Sequence, residues 1–220
     1  MKALILGRGA SLVSYKNFFN EKFDYLYLVN EFNKFIVQDE NLLLFLNKKK
    51  QEGTKIIQQL NIEMAGLDLD FIHKVHIDEA YCTRLAFTNE KVWWRDYFDQ
   101  NRFVKTLNIV VKPQPEILEP YIHMIGNSLP CALLNAILAK NAKEITILGC
   151  DFYESFYYLD SEGSWSTSQW SDENTEACQN KLKSQFTNMV EKFQNISFNL
   201  TTCSSYKNNS SNCSIHHLKL

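Results

Sequence analysis

The sequence predicts an α/β protein with a single Rossmann-like domain: a mostly parallel sheet, helices on both faces and one lid-like segment. Three observations carry the prediction. Ala3–Leu6 and Tyr25–Val29 are short, continuous apolar runs and Ile145–Leu148 a largely β-branched one, as expected of strands buried on both faces. Segments with apolar residues at helical spacing stand between such runs, so strands and helices alternate as in βαβ units. The first and last of these runs stop on glycine, at Gly7 and Gly149, where an open sheet presents its carboxyl edge to a ligand.

In chain order, Met1–Leu12 reads as a strand, a glycine turn (Gly7-Arg8-Gly9) and a helix start at Ser11. Glycine lets the backbone approach a phosphate, and free amides at a helix start would point at it. Ser11–Asn20 is expected to be a short helix, and the next strand ends on Asn30 at the same edge. Asp39–Lys50 has helical spacing through Leu42, Leu43, Phe45 and Leu46, with acids first, Lys48–Lys50 last and Gly53 as a cap. The lysine run reads as an ordinary solvated helix end. Thr54–Leu60 is the next strand.

Asn61–Asp99 lacks a clear period. Its His73-x-x-His76 has no fixed third ligand and reads as a surface pair. Trp93-Trp94-Arg95 reads as core packing, with an acceptor platform as the sharper alternative. Leu107–Val111 is a strand stopped by prolines, and Tyr121–Ile125 a further short strand or extended approach. Asn127 or Ser128 caps a helix with Pro130 in its first turn and Leu133, Leu134, Ile137 and Leu138 along one stripe. The strand at Ile145–Leu148 delivers Gly149-Cys150-Asp151-Phe152-Tyr153, and a carboxylate there suits ribose hydroxyls. The polar, tryptophan-bearing stretch at about 161–175 reads as a lid. Asp172–Phe193 is a helix with Leu182, Phe186, Met189, Val190 and Phe193 inward, and Ile196–Thr202 a last strand. The expected domain is therefore 1–202, followed by a polar tail at 203–220 ending in a frayed His216-His217.

Composition narrows the function classes. With 220 residues, 45% hydrophobic and a net charge of −2, the chain can bury a full core and offers no electrostatic footprint for nucleic acid. No apolar run is long enough to span a bilayer, and a chain opening on a core strand is expected to lack a signal peptide. The six cysteines form no Cys-x-x-Cys pair and read as reduced thiols of a cytoplasmic protein. The Asn-x-Ser/Thr sites near Asn195, Asn199 and Asn209 are then chance products of an Asn-rich composition. Gly7-x-Gly9-x-x-Leu12 lacks the third glycine of the dinucleotide fingerprint, and no Walker lysine follows.

Gly7-Arg-Gly-Ala-Ser-Leu12, with Phe23-Asp-Tyr and Val29-Asn-Glu-Phe32 after it, resembles the opening of the bacterial sialyltransferases of glycosyltransferase family 42. Those begin with Gly-x-Gly-Pro-Ser-Leu and continue to a strand ending in Asn-x-Phe. The resemblance resumes from Ser128 through the alanine-rich helix to Gly149-Cys-Asp-Phe-Tyr153, with a fainter match over Ser171–Thr202. It covers about half the chain and leaves out the middle, from about Phe35 to Glu119. What it implies is an inverting, metal-independent transfer of sialic acid or a related ulosonic acid from a CMP-activated donor, with no other cofactor, to a glycan or lipid-linked oligosaccharide acceptor. Gly7, Arg8, Gly9, Ala10, Ser11 and Asn30 would hold the nucleotide and phosphate, Asn127 and Ser128 the sugar carboxylate, and Gly149 and Asp151 the ribose region. Tyr153 and Tyr158 would donate to the departing phosphate. The family's loop asparagine is Arg8 here, its proline is Ala10, and its lid histidine is missing from Ser161–Thr175. Asp172, Glu173 and His123 are the substitutes considered for the base. The expected place is the cytoplasm, with peripheral contact at the inner face of the membrane and homo-oligomerisation left open. Two other readings stand beside this one: a non-catalytic nucleotide- or glycan-binding relative, and a phosphotransferase resembling the archaeal pterin pyrophosphokinases.

Overall fold

The structure, a computed structural model, describes residues 1–30, 39–60, 75–82, 111–112, 115–124, 128–155, 158 and 172–219. Its strands are β1 (Lys2–Leu6), β2 (Tyr25–Val29), β3 (Lys55–Leu60), β4 (Glu79–Cys82), β5 (Val111–Lys112), β6 (Glu144–Leu148), β7 (Ser197–Thr202) and β8 (Cys213–His217). They form one sheet in the order β5-β4-β3-β2-β1-β6-β7-β8, and every neighbouring pair is parallel. The α/β class with a parallel sheet is therefore the observed one. The chain leaves β1 towards β5 and returns to lay β6 on the other side of β1. A switch point thus lies between β1 and β6.

Alternation along each strand feeds two cores. Leu4, Leu6, Leu26 and Leu28 face helix α1 (Ala10–Phe18) and helix α2 (Glu40–Gln51). Ala3, Ile5, Tyr27 and Ile147 face the other side, where α4 (Ser128–Leu134) and α5 (Asp172–Lys192) pack. The stripe Leu182, Phe186, Met189, Val190 and Phe193 is buried there as its spacing predicts. Helix α1 winds as a 3-10 helix, and its inward residues Leu12, Tyr15 and Phe18 recur every third position to match. Asp39 caps α2, its carboxylate accepting from the amides of Asn41 and Leu42. Helix α4 widens into a π turn over Asn135–Ala139, where buried Asn135 accepts a hydrogen bond from Tyr27 at 2.8 Å.

Three local expectations are corrected. Of the expected strand Tyr121–Ile125, Tyr121–Met124 is not extended: helix α3 (Glu116–Met124), also 3-10, starts with the Leu118 amide on the Pro115 carbonyl and turns Leu118 and Met124 inward. A short apolar run does not separate strand from helix by itself. The lysine run is not a solvated end throughout, because Lys49 is fully buried and donates to the carbonyls of Phe19 and Glu21 and to Glu52. Nor is the expected tail unbuilt over 203–219. Tyr206 packs on Phe152 at 4.8 Å between ring centroids, and Asn212 donates to the carbonyls of Val190, Phe193 and Ile196. These contacts hold β8 as the parallel edge strand, with His216 and His217 in register with Thr201 and Thr202. Serine and asparagine here bond to backbone, which composition alone does not reveal. Among the described residues no helix is long and apolar enough to cross a membrane.

Candidate functional site

The turns after β1 and β6 meet at the switch point, where open α/β sheets place their ligands. A cleft of about 90 Å³ lies there, lined by Arg8, Asn30, Ser128, Tyr153 and Ser155 on its polar side and by Val29, Leu129 and Leu182 on its apolar side. Gly7, Gly9, Gly149 and Asp151 also line it.

The glycines serve the meeting of the two turns. The Gly7 amide donates to Leu148 at 2.7 Å and the Gly9 amide to Gly149 at 2.8 Å. A Cβ on Gly7 would stand closer than 3.0 Å to the carbonyl of Gly149, and one on Gly9 closer than 3.0 Å to the carboxylate of Asp151. The Gly7 and Gly9 amides are thus bonded within the protein rather than offered to a phosphate.

Asp151 explains why. Its Oδ2 accepts from the Ser11 amide at 2.9 Å and the Ser155 hydroxyl at 2.7 Å. Its Oδ1 accepts from the Ser11 hydroxyl at 2.6 Å, the Thr202 hydroxyl at 3.0 Å and the Cys203 amide at 2.8 Å. The residue is 3% exposed. A carboxylate with its acceptor sites so filled does not hold ribose hydroxyls, and the role expected for Asp151 is corrected accordingly. Ser11 is corrected with it, since its hydroxyl also accepts the Gly149 amide at 2.9 Å. The amide of Ala10 faces Ser155 at 3.4 Å.

Asn30 and Ser128 are brought together from 98 positions apart, the Ser128 hydroxyl donating to Asn30 Oδ1 at 2.7 Å. Asn30 sits at φ +65°, with its amide on Gln59 and its carbonyl accepting from Gln58. No hydrogen bond engages its Nδ2 group among the described residues, which leaves two donors on a residue lining the cleft. Phe152 and Tyr153 are consecutive left-handed residues at φ +50° and +61°, a conformation costing about 1–3 kcal/mol each for non-glycine residues. Phe152 is held there between Tyr206 and Phe186. Burial pushes the Tyr153 hydroxyl up from its usual range against the opposing charge of Arg8, so it stays a protonated donor at neutral pH.

Tyr158 does not join the cleft. It packs beside Tyr15 on the α1/α2 face, its hydroxyl donating to Asp39 at 2.5 Å and its amide to the Arg8 carbonyl at 2.8 Å. Its expected donation to a phosphate is therefore corrected: the hydroxyl is engaged in the core. Asn127, the lid up to residue 171 and the side chains of His123, Asp172 and Glu173 lie outside the described residues. The sequence reading missed Ser155, Thr202 and Cys203, the partners of Asp151. Thr202 and Cys203 were locatable in part, since the end of a strand beside β6 must reach the same sheet edge.

Among the described residues no group of three metal-binding side chains occurs. Comparison with protein-family models, with curated proteins and with solved structures finds no match to this chain.

Proposed function

We propose that the cleft binds a nucleotide-activated sugar and that the protein transfers sialic acid or a related ulosonic acid from a CMP-activated donor to a glycan or lipid-linked oligosaccharide. The observation that carries this reading is the Asn30–Ser128 hydrogen bond at the switch-point cleft, beside Arg8. The resemblance assigns these residues to the donor, and they are distant in sequence yet adjacent in space.

Loss of CMP from a 2-keto sugar leaves positive charge on the ring and negative charge on the phosphate. In this reading the Arg8 guanidinium and the Tyr153 hydroxyl donate to the phosphate, in place of the α1 amides and Tyr158. Donors already oriented towards that oxygen stabilise the transition state without reorganisation. The Asn30 Nδ2 group, oriented by the Ser128 hydroxyl on its Oδ1, faces the sugar carboxylate. The base is sought at Asp172, Glu173 and His123. Because residues 161–175 contain no histidine, a binding protein without turnover is the second reading.

The test is a thermal-shift series with CMP, UDP, ATP and NAD, with and without magnesium, followed by CMP release from CMP-sugars with a panel of galactosides. Stabilisation by CMP without magnesium, together with acceptor-dependent release, is the expected result. Stabilisation without release under any acceptor favours the binding protein. A magnesium-dependent response led by ATP sinks the sialyltransferase reading in favour of a phosphotransferase.

A further inference from the structure

We infer that Asp151 is a positioning residue whose carboxylate, rather than a ligand's phosphate, is the anion at the start of α1, and that it thereby sets the position of Arg8 in the cleft. The inference goes beyond the proposed reaction and holds whatever ligand the cleft takes.

The start of a helix favours an anion, because its first amides lack partners and the peptide dipoles add there. Here the Ser11 amide, which a bound phosphate would use, points at Asp151. The remaining donors are the Ser11 hydroxyl, Ser155 on the turn that carries Asp151, and Thr202 and Cys203 at the end of β7. One carboxylate therefore joins the turn after β1, the turn after β6 and the end of β7. Arg8 stands inside this joint. Its neighbours Gly7 and Gly9 are bonded to Leu148 and Gly149, and its own carbonyl accepts from Tyr158. The main chain beneath the guanidinium is thus held on both sides, and anion recognition passes from backbone amides to a side chain.

The hydrogen bonds require an acceptor at both oxygens. A main-chain N–H addresses each oxygen, Ser11 on Oδ2 and Cys203 on Oδ1. Neither donor can rotate into an acceptor. An asparagine would set its NH2 against one of the two whichever way it flipped, so the near-isosteric Asp151→Asn is not conservative here.

The experiment uses the full chain as Asp151→Ala and Asp151→Asn, followed by thermal unfolding and circular dichroism. Asp151→Ala removes the carboxylate from a cleft-lining position, where a small anion can enter. Added formate is expected to raise its melting temperature saturably and far more than that of the wild type, with chloride inactive. Asp151→Asn is expected to melt well below the wild type, close to Asp151→Ala. If Asp151→Ala is unfolded alone, formate-dependent recovery of structure is the expected result. Absence of any formate effect, folded or not, overturns the inference, as does an Asp151→Asn variant as stable as the wild type. A second arm reads Arg8 through CMP affinity. Asp151→Ala should lose about tenfold and regain it with formate, whereas Arg8→Ala should lose at least as much and regain nothing. Loss without regain in a formate-stabilised Asp151→Ala overturns the positioning of Arg8. If the wild type does not bind CMP, the proposed function fails while the formate arm still decides the role of Asp151.

Discussion

Replacing Gly7 by alanine separates the two uses a glycine turn can have. If Gly7 is there so that a phosphate can approach, alanine leaves the empty protein intact and removes the ligand. If it is there because two turns touch, alanine breaks the fold. Its new methyl would lie 2.8 Å from the Gly149 carbonyl carbon and nearer still to the oxygen, both main-chain atoms with no rotamer to yield. Reaching ordinary contact at 3.4 Å or beyond means parting the turns that carry the Gly7–Leu148 and Gly9–Gly149 bonds. Overpacking costs about 1–3 kcal/mol, and a buried donor left without its acceptor about 1–3 kcal/mol more. The expected loss is therefore roughly 2–6 kcal/mol, or about 5–20 °C in a chain of this length. Gly53→Ala is the control: Gly53 has φ +90° but no atom within 4 Å of a Cβ, so it loses only the backbone preference, about 1–2 kcal/mol. Urea unfolding followed by circular dichroism measures both. A Gly7→Ala protein within about 1 kcal/mol of the wild type, or more stable than Gly53→Ala, would refute the reasoning and return the turn to the phosphate.

Asn30→Ala should weaken CMP-sugar binding by about tenfold or more in calorimetry, one hydrogen bond to a charged group being worth about 1.5–3 kcal/mol, and Ser128→Ala should weaken it less, by releasing the Asn30 side chain that its hydroxyl orients. Unchanged affinity in both would move the site. Tyr153→Phe should lower CMP release more than donor affinity, whereas Tyr158→Phe should cost stability and leave affinity alone. The opposite pattern would restore Tyr158 to the cleft. Burial pushes the Asp39 carboxyl up, but hydrogen bonds from Tyr158, Tyr15 and the amides of Leu42 and Asn41 outweigh it and leave the group below its ordinary 3.8. A lowered folded value means stability fully present above that ordinary value and lost as pH falls through the folded one. Acid titration of unfolding should accordingly show a loss below about pH 4 that shrinks in the Tyr15→Phe and Tyr158→Phe variants. An acid limb unchanged in both variants would count against this pair of bonds.

The parallel sheet, its central strands and its carboxyl edge were legible in the sequence because each rests on local pattern, whereas β4, β8 and helix α3 were not. Continuous apolar runs such as Ala3–Leu6 and Tyr25–Val29 need two covered faces, and the stripe from Leu182 to Phe193 needs one. The same logic located Asn30 and Ser128 at the edge, since a strand end and a helix start both sit there. What each polar group bonds to was decided only by the tertiary structure. Nothing local distinguishes an aspartate that meets ribose from one whose oxygens are filled by Ser11, Ser155, Thr202 and Cys203, because those partners come from three separate stretches of chain. Tyr153 and Tyr158 differ little in composition or neighbourhood. A left-handed turn keeps one at the cleft, and a buried carboxylate holds the other beneath the opposite face of the sheet. Apolar periodicity acts through averages over many side chains and survives in the sequence. A hydrogen bond depends on a few tenths of an ångström between residues that only the fold brings together.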